Sequence, residues 1–60
     1  MSAVYNPEAD MMARIECLER DARLLRRKVE HAHHEEDARV LRRQLTEIKD
    51  EIAFLQARLH

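Results

Sequence analysis

The chain has 60 residues, 38% charged and 45% hydrophobic, with no glycine, one proline and only Tyr5 and Phe54 as aromatics. That length is short for a self-sufficient globular core, and the composition is that of long helices or a coiled coil rather than a sheet. Eleven Lys and Arg against twelve Asp and Glu leave a net charge of -1, so no global field recruits nucleic acid or membrane.

From the N-terminus, Met1 to Asn6 carries neither a basic stretch nor an apolar core of the export type, and residues 1–6 read as a disordered tail. Asn6-Pro7-Glu8-Ala9-Asp10 is a helix start. Asn6 can cap free N–H groups, Pro7 suits the first helical position, and Glu8 and Asp10 complement the positive end of the helix dipole.

Met11, Ile15, Leu18, Ala22, Leu25, Val29 and Ala32 then recur at alternating spacings of four and three, the seam of a heptad pattern. This predicts a first helix over about 7–32. Ala38, Leu41, Leu45, Ile48, Ile52, Leu55 and Leu59 form a second seam and predict a helix over about 37–59.

The two seams are out of phase, since Val29 and Ala38 would both be a positions but are nine residues apart. At about 100° per residue the second stripe would fall on the opposite side of a continuous helix. A turn over about 33–37 resolves the conflict. Basic residues Arg26, Arg27 and Lys28 close the first segment, and Glu35, Glu36 and Asp37 open the second, as two separate helix dipoles favour.

The expected fold is therefore all-α: an antiparallel two-helix coiled-coil hairpin, stabilised by oligomerisation. One long continuous helix is the alternative, kept open because 33–37 contains no Gly, Pro or Asn. Folded as a hairpin, the seams pair in apolar layers, among them Leu25 with Leu45, Leu18 with Ile52 and Ile15 with Leu55. Beside the seam, Glu19 is expected to meet Lys49, while Arg26 meets Arg42, Arg14 meets Arg58 and Asp21 meets Glu51, three like-charge encounters. A second hairpin packed antiparallel could match Arg14 and Arg58 with Asp21 and Glu51, and the alternative is that these long side chains simply point into water.

Leu41-Arg42-Arg43 followed by Leu45-Thr46-Glu47-Ile48-Lys49-Asp50-Glu51-Ile52 resembles the second helix of the YdcH-like family of small bacterial helical hairpins, and a looser likeness extends over 15–59. The resemblance implies a cytoplasmic bacterial hairpin. It implies no biochemical activity, because none is assigned to the family.

Three features bear on chemistry. His31, His33 and His34 with the acids of 35–37 are the weak candidates for a metal site or a pH-sensitive hinge, but a solvated turn seldom converges three or four ligands, so no metal and no cofactor is expected. Arg23, Arg26, Arg27, Arg39, Arg42 and Arg43, with Arg20 and Lys28, form a basic belt near the turn. A nucleic-acid phosphate backbone could bind there, yet stacking aromatics and net positive charge are missing, and a solvated helix surface is preferred.

Cys17 has no adjacent His to activate it, and a two-helix hairpin encloses no pocket, so no enzyme is expected. The single thiol, which cannot close an intrachain loop, points to a reducing, cytoplasmic setting; no apolar run is long enough for a membrane span.

The remaining signal is apolar. Cys17 and Leu24 at c positions of the first helix, and Val40 and Phe54 at c positions of the second, lie off the seam. They are the candidate partner-binding residues, with Ala53 and Ala57 allowing close approach beside Phe54. The function expected is a non-catalytic protein–protein interaction module, whose partner is a second copy of the chain, a larger protein, or both.

Overall fold

A computed structural model describes residues 6–59. Two helices make up the architecture, α1 over Pro7–Glu30 and α2 over Glu35–Arg58, packed against each other as a hairpin. Each has 24 residues and is about 36 Å long at about 1.5 Å per residue. The continuous helix is excluded. The expected tail lies outside the described residues except for Asn6.

Asn6 caps α1 in extended conformation, its Oδ1 accepting from the backbone N–H of Glu8 at 3.0 Å and of Ala9 at 3.2 Å. Two of the otherwise unpaired N–H groups at the helix start are thereby satisfied. Pro7 stands in the first turn, where its missing N–H costs nothing.

The turn forms without glycine because no described residue needs a positive φ. His31 leaves α1 at φ -103°, ψ 6°, and His34 enters α2 in extended conformation at φ -122°, ψ 136°. Both conformations are open to ordinary L-residues. The reversal occupies 31–34, starting two and ending three residues ahead of the 33–37 read from the sequence. Ala32 N–H bonds to Val29 O at 3.2 Å, a tight closing turn that ends α1 at Glu30. Glu35 and Glu36 instead join Asp37 in the first turn of α2, where their charges complement the dipole.

All seam positions of both helices are buried or half-buried, and among the other described residues only Glu51 is not exposed. The heptad pattern thus determines which faces meet. The seal is thin: Ile15, Leu18, Ala22 and Ala38 alone are buried among the described residues, three of them on α1. The α2 seam from Leu41 to Leu59 stays half-exposed.

The chain is 53 × 23 × 12 Å, a single layer about one helix thick. Its radius of gyration is 15.0 Å, against about 10 Å for a compact domain of this length. Both broad faces are therefore open to solvent.

Candidate interaction surfaces

The hairpin has two broad faces, one flanked by e positions beside the a residues and the other by g and c positions beside the d residues. On the g/c face, Arg14 donates through Nε at 3.1 Å and Nη2 at 2.7 Å to Oε1 of Glu51. The bond and the attraction of the Glu51 carboxylate, in that order, hold the Arg14 guanidinium above its ordinary pKa.

This corrects the expected charge pattern. A flanking residue faces two neighbours a heptad apart on the opposite helix, and Arg14 takes Glu51 rather than Arg58. Glu51 is thus matched within its own chain, and no second hairpin is needed to neutralise Arg14 or Glu51. Arg58 instead lies over the Phe54 ring, 5.6 Å from its centroid. Arg42, expected to face Arg26, reaches back along α2 to Glu35 at 3.2 Å.

The candidate partner-binding residues all stand outside the seal. Leu24 is 50%, Val40 56% and Phe54 60% exposed, and Cys17 is an exposed free thiol. Cys17 shares a shallow depression with Arg14, and Val40 shares another with Lys28, His31 and Leu41, which places these c positions on the face that carries the Arg14–Glu51 bridge. Ala53 does not support Phe54 as expected. It lines the opposite face.

On that opposite face a continuous open groove follows the line where α1 and α2 meet. Its turn-proximal part, about 450 Å³, is lined by Glu19, Ala22, Arg26, Lys49, Ile52 and Ala53 among others. The part toward the free end, about 540 Å³, is lined by Met12, Ile15, Glu16, Glu19, Gln56 and Leu59. Met12, 53% exposed, is a large apolar residue that the sequence reading passed over. The available signal was its e position: Met12 and Gln56 are uncharged where a coiled coil usually carries Glu or Lys.

The turn histidines line a depression of about 550 Å³ with Lys28, Asp37, Val40 and Leu41. Among the described residues no group of three or more His, Cys, Asp and Glu is placed to hold a metal ion. Of the basic belt, Arg23 and Arg26 share the a/e groove with Glu19, and Arg42, also at an e position, is engaged by Glu35. No described helix is long and apolar enough to cross a membrane.

No protein-family model, curated protein or solved structure matches this chain.

Proposed function

We propose that the chain is a non-catalytic protein–protein interaction module, a small helical homo-oligomer or accessory subunit whose outward apolar residues dock against an apolar helix face of another protein. The observation that carries this reading is the contrast between seam and surface. Among the described residues four small or medium side chains form the buried core, while Leu24, Val40 and Phe54 stand at least half exposed. Single exposed apolar residues are ordinary, but these recur at one heptad position on the same face.

Phe54 and Leu24 are the anchors in this reading. Val40 and Cys17 extend the surface, and Arg58 over the Phe54 ring supplies a cationic rim. The likeness of 41–52 to YdcH-like hairpins supports the same reading at the level of fold, and the free thiol fits a reducing, cytoplasmic setting.

The test is Leu24→Ala and Phe54→Ala, scored for helicity by circular dichroism and for complex formation by pull-down beside the wild type. Anchor truncations cost about 2 kcal/mol or more of binding when the residue is central to an interface. Retained helicity with lost complex formation is the expected result, and intact complexes in both variants would refute the assignment.

A further inference from the structure

The α1 wall of the a/e groove carries a charge order that is self-complementary. Along α1 it runs acid to base, from Glu16 and Glu19 near the free end to Arg23 and Arg26 near the turn. Glu16 and Arg26 are equidistant from Asp21 in the sequence, and so are Glu19 and Arg23. A twofold rotation about an axis crossing α1 at the height of Asp21 therefore sets every one of these charges opposite its counter-charge. Such matching fixes orientation and excludes wrong registers more than it adds raw affinity.

The small residues near the axis fit the same operation. Ala22, only 3% exposed, leaves α1 narrow near the axis, and Ala53 does the same for α2. Met12, Ile52 and Leu59 present apolar surface that the single hairpin leaves open. The accessible surface of 5289 Å² exceeds by roughly 1,200 Å² what a folded monomer of this mass exposes. A standard interface takes about 800 Å² from each partner, so the chain has the area to contribute.

We propose that the occupant of the a/e groove is a second copy of this chain, related by a closed twofold, with α1 packed antiparallel on α1 and α2 on α2 in a four-helix bundle. The pairs Glu16–Arg26 and Glu19–Arg23 form between copies, and Lys49, near the axis, faces its own copy, a like-charge contact that those pairs must outweigh. Every neighbouring helix pair in the bundle is then antiparallel, the arrangement in which helix dipoles oppose each other. The proposal rests on the reading of the chain as an interaction module and assigns this face to self-association, leaving Leu24, Val40 and Phe54 on the other face for a further partner.

Charge reversal tests it. Glu16→Arg/Glu19→Arg makes the set wholly basic and Arg23→Glu/Arg26→Glu makes it wholly acidic, so each variant alone should self-associate about tenfold or more weakly than the wild type. Mixed in equal amounts, the two should restore a complex of twice the 7.2 kDa chain mass by sedimentation equilibrium, with recovery of any helicity lost alone. A monomeric wild type, undiminished self-association of either variant, or a mixture no stronger than its components would overturn the proposal.

A second measurement does not depend on the reversed variants folding. In a Cys17→Ser background, Lys49→Cys should oxidise to an interchain disulfide and Phe54→Cys should not; the opposite result would place the contact on the g/c face and overturn the assignment. Leu24→Ala and Phe54→Ala should leave this dimer intact, so failure of the g/c surface to bind a partner and failure of the twofold groove are separately visible.

Discussion

Arg14 and Glu51, 37 residues apart in sequence, are joined by two hydrogen bonds to one carboxylate oxygen across the hairpin. Both side chains remain substantially exposed, at 61% and 40%, so the bridge sets register more than it stabilises. Arg14→Glu or Glu51→Arg should each lower Tm by a few degrees at most, and the double exchange should recover the loss. A large loss from either single variant, not recovered in the exchange, would show that the residues act through packing.

The raised pKa of Arg14 gives the sign of its pH dependence. A cationic group with a raised folded value contributes its full stabilisation below the unfolded value and loses it only as pH rises through the folded one. For a guanidinium that window lies in strong alkali. Thermal melts between mildly acidic and mildly alkaline pH should therefore differ equally for the wild type and Arg14→Gln, and a difference confined to the wild type would place another titrating group in the bridge.

The two helix starts differ in a way that mutation can read. Asn6 accepts from two N–H groups, whereas His34 makes no side-chain cap on α2. Asn6→Ala should cost about 1 kcal/mol, and His34→Asp should gain a similar amount by supplying the missing acceptor. For a chain of this size that is a shift of about 4–8 °C in Tm, in opposite directions, by circular dichroism. An unchanged Tm in His34→Asp would mean that Glu35 to Asp37 already satisfy the helix start.

Replacing His31, His33 and His34 together by glutamine should leave helicity and self-association nearly unchanged, because the turn is built from backbone conformations any residue adopts. Loss of either property in the triple variant would assign the histidines a metal or switch role.

The fold was legible because a heptad pattern encodes which side of each helix is buried, and the phase slip between Val29 and Ala38 forces a reversal. The turn reads late, 33–37 against 31–34, and its second boundary is unmarked because α2 has no side-chain cap to announce its first residue. The Arg14–Glu51 pair was not legible: each flanking residue has two facing neighbours a heptad apart, and side-chain reach decides between them. The a/e groove escaped for a different reason. Cys17, Leu24, Val40 and Phe54 stand out as apolar residues far from the seam, whereas Met12, Ala53 and Gln56 matter because they leave its edge uncharged and open.

Truncation inside and outside the seam should separate folding from docking. Leu18, 8% exposed, and Ile15, 7%, are the largest members of the buried core. Leu18→Ala should cost about 2–5 kcal/mol and abolish cooperative unfolding in a chain with so little else buried. Leu24→Ala should change helicity little, and equal losses from the two substitutions would mean that Leu24 belongs to the core of the folded form.

Completion of this thin hairpin by association is read in thermal unfolding followed by circular dichroism over a wide range of protein concentration. Binding of copies in the folded form raises apparent stability by mass action, so Tm should climb steadily with concentration. A cooperative transition that stays at one temperature throughout, in a sample sedimenting as a single chain, would show that the hairpin is stable alone.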